Sequence, residues 1–216
     1  MLTLTSAVAL QPRESSFENR GFGPGIVMDF APDEEIYGAG EPREFVYKVI
    51  SGAVRTFNIL SDGRRQIEAF HLPGDVFGLE LGETHDLSAE AIASSKILVT
   101  KRSIVEAASR SNCATAGELL ALTTRALERA RAQMLLLGRK SAHEKVATFL
   151  LDMAERTAGE AVDLPMSRTD IADYLGLTIE TVSRTLSRFE RQGAIGLPSS
   201  RHIELRNRAT LNALAS

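Results

Sequence analysis

The sequence predicts an α+β protein in three successive parts: a run of short strands, a long helix, and a compact helical unit that ends in a hairpin. Three observations lead to this prediction. Glycine-containing turns interrupt short apolar runs between residues 29 and 101, apolar residues recur every seven positions from about residue 109 to 139, and two short amphipathic helices follow between residues 166 and 197. We expect segments 1–108, 109–140 and 141–216 to be the structural units.

The first part alternates short apolar runs with turn residues. The runs include 44–50, 66–70 and 96–99, and the turns include Ser51-Gly52, Asp62-Gly63 and Pro73-Gly74. Short strands at this close spacing are typical of an antiparallel barrel or a jelly-roll-like sandwich. The sequence therefore predicts an N-terminal antiparallel β-roll (jelly-roll-like) and not a βαβ nucleotide-binding domain.

The second part has a heptad pattern. One set of residues recurs every seven positions, and a second set follows three positions later: Cys113, Leu120, Leu127 and Met134, then Ala116, Thr123, Ala130 and Leu137. Over about four heptads this a/d pattern predicts a long dimerisation helix, although a helix packed against its own domain would show the same spacing. The small d residues favour a parallel two-chain seam formed by Leu120, Thr123, Leu127, Ala130, Met134 and Leu137.

The chain has one cysteine, Cys113. A single cysteine excludes an intrachain disulfide and a CxxC metal or redox pair. It could cross-link two chains or sense oxidation, but a lone cysteine is more often a small apolar filler. We expect Cys113 to be such a filler.

The third part begins with helix-capping signals. Ser167 and Asp170 are spaced as in a capping box, Gly176 can supply a turn, and Thr178 is suited to be the N-cap of a second helix. Two short helices joined by a glycine turn are typical of a helix-turn-helix.

The second of these helices has two distinct faces. Val182, Leu186 and Phe189 have the i, i+4, i+7 spacing of a buried stripe. The opposite face carries polar and charged residues, namely Glu180, Ser183, Arg184, Ser187 and Arg191. This division is typical of a DNA-recognition helix, although an ordinary pair of solvated helices is the alternative.

The chemistry of the polar face suits base recognition. Arg184 can donate two hydrogen bonds to guanine O6 and N7, Glu180 can accept one from cytosine N4, and Ser183 permits close approach. These three residues are the predicted base contacts. The predicted phosphate or flanking contacts are Arg168, Thr178, Ser187, Arg188, Arg191, Arg201 and His202.

A hairpin is predicted after the second helix. Apolar residues alternate at 195 and 197 and again at 203 and 205, on either side of Pro198-Ser199-Ser200. A helix-turn-helix followed by such a ribbon is a winged helix, with Arg201 or His202 near the nucleic-acid backbone. The third part is thus predicted to be a C-terminal winged helix-turn-helix.

Charge is distributed unevenly around a net charge of −3. Residues 1–110 carry 11 basic and 16 acidic side chains, whereas residues 111–216 carry 14 and 12. The acidic excess therefore lies away from the predicted DNA-binding part, where a small basic excess predicts weak, salt-sensitive non-specific binding. The sequence has neither an apolar run of roughly 20 residues nor a signal peptide, so we expect a cytoplasmic protein with no membrane partner.

The order of β-roll, long helix and winged helix-turn-helix resembles the CRP/FNR family of bacterial transcription regulators. Residues 49–55, 62–67 and 73–78 look like the family's roll, and Glu180-Thr181-Val182-Ser183-Arg184 is similar to the recognition signature of its FNR branch, most of all in rhizobial FixK-type regulators. The resemblance implies a homodimer on a palindromic operator in double-stranded DNA, a TTGA-containing inverted repeat contacted by Glu180, Ser183 and Arg184. It also implies activation through RNA polymerase, with the loop 157–162 and the roll turn 82–85 as candidate contacts.

Two departures from the family concern effectors. The cyclic-AMP branch grips the cyclic phosphate with an Arg-Ser pair, and Leu87-Ser88 occupies that place here, so the phosphate would lack its cation. The FNR branch proper carries N-terminal cysteines for an iron-sulfur cluster, and residues 1–30 contain none. We expect a regulator without a cofactor; the alternative is one gated by a small molecule in the roll.

No catalytic or metal-binding motif is found in the sequence. His143-Glu144 is followed by Ala147 where a helical zinc site would need its second histidine. Gly21 to Gly25 lack the spacing and the Lys-Ser/Thr of a phosphate loop. We therefore expect neither catalytic nor metal-binding residues and do not expect an enzyme.

Overall fold

The computed structural model describes residues 23–157, 159 and 161–215. The strands of the first part are β1 (Ile26–Phe30), β2 (Glu35–Tyr37), β3 (Phe45–Ser51), β4 (Val54–Ile59), β5 (Arg65–His71), β6 (Val76–Phe77), β7 (Ser88–Ala91) and β8 (Ser95–Lys101). Helices α1 (Arg102–Ser111), α2 (Cys113–Arg139) and α3 (Ala142–Thr157) follow. The last part comprises β9 (Ala161–Asp163), α4 (Arg168–Leu175), α5 (Ile179–Arg191), β10 (Ile195–Gly196), β11 (His202–Leu205) and α6 (Arg208–Ala215). The predicted α+β architecture is confirmed.

Two antiparallel four-stranded sheets form the roll. Their strand orders are β1-β8-β3-β6 and β2-β7-β4-β5. Val49, Val54, Ala91 and Ile97 come from both sheets and are fully buried in one apolar cluster between them. The alternating strands therefore build a core of their own, as the short apolar runs predicted.

The heptad region consists of two helices, not of one helix that begins near residue 109. Helix α1 ends at Ser111, and Asn112 takes an extended conformation with φ −136° and ψ 112°. Its side-chain Oδ1 accepts a hydrogen bond from the backbone N–H of Ala114 at 2.9 Å. Asparagine is a strong N-cap, so it ends one helix and starts the next.

The apolar stripe of α2 is mostly exposed, and Leu137 at its end is the member that packs against the chain's own apolar core. Leu120, Leu127 and Met134 are 68%, 52% and 72% exposed, whereas Thr115 and Leu136 are the residues of α2 that are buried. Cys113 is exposed as well, so its interpretation as a buried filler is wrong. Packing against the chain's own domain is therefore excluded for Leu120, Leu127 and Met134, whereas Leu137 follows that alternative. Among the described residues, no helix combines the length and the hydropathy that a membrane span requires.

A second apolar cluster joins the roll to the helical part. It includes Ile67 of β5, Leu150 of α3, Leu175 of α4 and Phe189 of α5, all of which are fully buried. The outer face of one roll sheet thus packs against the helices that carry the predicted DNA contacts. Because buried apolar side chains are continuous across the boundary between the roll and the helices, the helix-turn-helix packs against the roll in a defined position.

The wing differs from the predicted two-stranded hairpin. Its sheet has the order β10-β11-β9, and His202–Glu204 pair with Ala161–Asp163. The third strand overlaps the segment 157–162, which was expected to be a loop. Three residues are too few to show a strand pattern in sequence. Val162 is buried in the apolar cluster that also contains residues of α3 and β11.

The roll contains a histidine whose protonation opposes folding. Desolvation lowers the pKa of His71 from 6.5 to about 4, although the nearby Asp75 carboxylate partly counteracts the shift. The unfolded chain therefore binds a proton first as the pH falls from about 6.5 toward 4, so the free energy of unfolding should decrease over this range. Urea unfolding across this pH range should show a shallower decrease for His71→Gln. Equal slopes for the wild-type protein and His71→Gln would contradict the assignment.

Candidate nucleic-acid interface

Both ends of α4 carry the capping geometry that its sequence predicted. The Ser167 hydroxyl accepts a hydrogen bond from the backbone N–H of Asp170 at 3.1 Å, and the Asp170 carboxylate accepts one from the backbone N–H of Ser167 at 2.9 Å. Gly176 ends the helix in the left-handed region, with φ 61° and ψ 43°. A residue with a Cβ is disfavoured in that conformation, which makes glycine the natural turn residue.

Helix α5 begins at its predicted cap and buries its predicted face. The Thr178 hydroxyl accepts a hydrogen bond from the backbone N–H of Thr181 at 3.3 Å. Val182 and Phe189 are fully buried, and Leu186 is 2% exposed. The opposite face consequently points away from the core.

The outward face of α5 combines an acceptor and a donor at adjacent helical turns. Glu180 and Arg184 are exposed and lie four residues apart. Hydrogen bonds from its own backbone N–H and from the Thr178 hydroxyl, together with the charge of Arg184, lower the pKa of Glu180. Glu180 therefore remains an anionic acceptor, and half-buried Ser183 between the two charged residues adds little bulk.

A groove of about 510 Å³ runs along this face. Its lining combines residues of α5 with the start of α3, namely Ala142, His143, Thr181, Ser183, Arg184, Thr185, Ser187, Arg188 and Arg191. Arg168 of α4 reaches the same face, since its Nη1 donates to the Ser183 hydroxyl at 3.4 Å. The fold thus brings most of the predicted DNA contacts together on one basic surface.

Glu180 and Thr178 at the start of α5, and Arg201 and His202 of the wing, are predicted contacts that do not line that groove. Arg201 lines a separate pocket with Arg55, Arg65 and Asp170, where the roll meets α4. His202 is paired with the wing, because its Nδ1 lies 2.6 Å from Oδ1 of Asp163. A nucleic-acid contact by His202 would compete with this pair.

Sequence reasoning missed His143 as a member of this surface. It lies in the first turn of α3, and its Nε2 is 3.0 Å from Nη1 of Arg188 on α5. The sequence did contain a signal for the start of α3, because Ser141 and Glu144 have the spacing of a capping box. In the structure, Glu144 Oε2 accepts a hydrogen bond from the Ser141 backbone N–H at 2.6 Å. Only the tertiary fold brings that start beside α5.

The two halves of the chain match separate domain families. The model of the Crp-like helix-turn-helix domain matches residues 144–214, and the model of the cyclic nucleotide-binding domain matches residues 27–112. The first match covers α4, α5 and the wing, and the second covers the roll and α1.

The similar proteins include two named FixK, and a similar solved structure is that of FixK2. The nitrogen fixation regulation protein FixK of Azorhizobium caulinodans is 51% identical over 198 residues, covering 89% of this chain and 80% of that protein. FixK of Rhizobium meliloti is 40% identical over 216 residues, covering 98% and 99%. The structure of FixK2 from Bradyrhizobium japonicum is similar with a TM-score of 0.85 and 53% identity, covering 89% and 98%.

The capping box of α4 should contribute measurably to stability. Ser167→Ala removes the hydroxyl that accepts from the Asp170 N–H, so we expect the free energy of unfolding to fall by about 0.5–2 kcal/mol. Thr169→Ala, at an exposed position in the first turn of the same helix, is the matched control and should change it by less than about 0.5 kcal/mol. Chemical denaturation measures both; equal losses would refute the assigned role of Ser167.

Proposed function

Because the chain belongs to the CRP/FNR family of bacterial transcription regulators, we propose that it binds an inverted repeat of TTGA type in double-stranded DNA as a homodimer and activates transcription. The helix-turn-helix is its DNA-binding domain. The observation that carries the proposal is the outward face of α5, where Glu180, Ser183 and Arg184 lie together.

Glu180, Ser183 and Arg184 are the proposed base-contacting residues. A carboxylate that stays charged can accept from cytosine N4, and a guanidinium one turn away can donate twice to guanine. Both side chains are exposed on a helix whose other face is anchored in the core. Such a helix can enter the major groove without loss of apolar packing.

The surrounding basic residues are the proposed phosphate contacts. Arg168, Arg188 and Arg191 lie at or near the groove along α5, so they can fix the orientation of the helix on the duplex. Thr178 and Ser187 are exposed near the same face. For Arg201 and His202 we propose flanking contacts from the wing, and the His202–Asp163 pair makes the latter the weaker candidate.

The exposed stripe of α2 supports the proposed homodimer. Leu120, Leu127 and Met134 present large apolar side chains to solvent at heptad spacing. Exposed Thr123 and Ala130 are small enough to let a second helix approach closely, and Leu137 extends the stripe. Two copies related by a two-fold axis would place two α5 helices on half-sites roughly 34–36 Å apart, as a palindrome requires.

We further propose that the roll needs no cyclic nucleotide. Leu87 provides no cation for a cyclic phosphate, and the Ser88 hydroxyl already accepts from the backbone N–H of Ala39 at 3.0 Å. Aromatic rings fill the adjoining interior: Tyr37 stacks on His85 with centroids 3.6 Å apart, and Tyr47 on Phe77 at 5.1 Å. The N-terminal segment that lacks cysteines includes residues 1–22, which lie outside the described residues.

Activation is proposed to involve contact with RNA polymerase. The candidate surfaces are the segment 157–162 and the turn 82–85. In that turn Gly82 and Thr84 are exposed, whereas His85 is 2% exposed. The exposed residues of this turn, and not His85, are therefore available to a partner.

Selection of bound duplexes from a random DNA pool tests the central proposal. We expect the enriched sequences to form an inverted repeat with TTGA half-sites, and enrichment of no sequence or of a lone half-site would contradict it. The same binding assay with added cyclic AMP tests the alternative that a small molecule in the roll controls DNA binding. Affinity that depends on the nucleotide would favour an effector-gated regulator.

Base contacts and phosphate contacts should respond differently to substitution. Arg184→Ala should weaken operator binding by about 1–3 kcal/mol and relax the preference at one base pair, because it removes a bidentate donor. Arg168→Ala should weaken cognate and random duplexes to similar degrees, because phosphates are the same in both. Fluorescence anisotropy with matched duplexes measures this. If both variants lose cognate and random binding in parallel, the assignment of Arg184 is wrong.

Polar substitutions in the α2 stripe should dissociate the dimer. Leu120→Gln with Leu127→Gln should shift the protein toward monomer in analytical ultracentrifugation, since each leucine then no longer gains from burial in the seam. Leu135→Gln is the matched control, because Leu135 is 67% exposed on the same helix and lies outside the a and d positions. An unchanged mass for the double variant, or equal dissociation by the control, would rule out this seam.

A further inference from the structure

Helix α4 is held at both ends by side chains from outside the helix-turn-helix. It spans eight residues between the capping box and Gly176. Its contacts come from the roll, from α2 and from α3, and not only from its partner helix α5. A helix that short has little intrinsic stability, so these contacts decide where it lies.

Two arginines of the roll bind the first part of α4. Arg55 Nη1 and Arg65 Nη2 lie 3.0 Å and 2.7 Å from the same carboxylate oxygen, Oδ1 of Asp170. Arg65 Nε also donates to Oδ2 of Asp173 at 2.9 Å. Asp170 is 4% exposed and Arg55 is 7% exposed, so the pairs are largely shielded from solvent.

Three side chains bind the last carbonyls of α4. The end of a helix leaves carbonyl oxygens without intrahelical partners. Here the consecutive carbonyls of Asp173, Tyr174 and Leu175 each accept a hydrogen bond from a different element. The donors are Gln66 Nε2 of β5 at 2.8 Å, Gln133 Nε2 of α2 at 2.8 Å and Lys145 Nζ of α3 at 3.1 Å.

The connection from α4 to α5 is too short to absorb movement. Only Gly176, Leu177 and Thr178 separate the two helices, and the backbone N–H of Leu177 donates to the carbonyl of Ala172. A tilt of α4 would therefore be transmitted to α5. The side chains that hold α4 set the direction in which α5 presents its outward face.

We propose that Arg65, Gln66 and Gln133 are positioning residues, which fix α5 relative to the roll and the dimer helix so that two copies fit one palindrome. This inference rests on the proposed DNA-binding function. None of the three is among the predicted DNA contacts. Gln133 is notable because it ties α4 directly to α2, the helix that carries the proposed seam.

The first test compares binding to one half-site and to the full inverted repeat. In Arg65→Gln with Gln133→Ala, the face of α5 is unchanged, so affinity for a single half-site should stay the same. Affinity for the full repeat should fall about tenfold, because two misaligned helices no longer engage together. Arg64→Gln is the control, since Arg64 is exposed on the same hairpin and pairs locally with Asp62. Loss of half-site affinity as well, or unchanged affinity for the full repeat, would overturn the proposal.

The second test needs no DNA and therefore separates this inference from the proposed function. Spin labels at Ser61→Cys and Gln192→Cys, both exposed positions, are placed in a Cys113→Ser background. Dilution with unlabelled protein isolates the distance within one protomer. The distance distribution should broaden in the Arg65→Gln, Gln133→Ala variant and remain narrow with Arg64→Gln. An unchanged distribution would refute the positioning role even if the protein bound no operator.

Discussion

The buried carboxylate of Asp170 is the constraint on which the arrangement of the two halves depends. One oxygen accepts from the backbone N–H and hydroxyl of Ser167, and the other accepts from Arg55 and Arg65. An isolated buried charge of this kind costs about 3–5 kcal/mol, whereas a helix cap contributes about 0.5–2 kcal/mol. Loss of the arginine partners would therefore cost more than loss of the local cap, because it would leave the Asp170 carboxylate buried without a cation.

A second ion-pair cluster and the shared apolar core act in the same direction. Asp75 in a roll turn lies 3.1 Å from Arg129 of α2 and 2.7 Å from Arg156 of α3. Burial alone would raise the pKa of Asp75, but the Leu72 backbone N–H and the two arginines lower it, so the carboxylate stays charged. The roll is thereby attached to the long helix, to α3 and to α4 at separate points.

The exposed surfaces have complementary chemistry for the proposed function. The outward face of α5 is charged and basic, which suits a polyanion, and the stripe of α2 is apolar, which suits a second copy of the same helix. A single chain leaves the stripe of α2 exposed to water. The proposed dimerisation would bury it and, through the proposed role of Gln133, would align the two α5 helices.

The sequence by itself determined those features that depend on neighbouring residues. Ser167, Gly176 and Thr178 predicted the ends of α4 and the start of α5 because capping involves residues within one helical turn, and spacing alone predicted which side of α5 is buried. Strand β9, the position of His143 beside Arg188 and the pairing of Arg55 with Asp170 required the tertiary structure. Their partners are distant in sequence, by 115 residues in the last case. No local pattern encodes such a contact, because only the packing of the whole chain decides which buried charges meet.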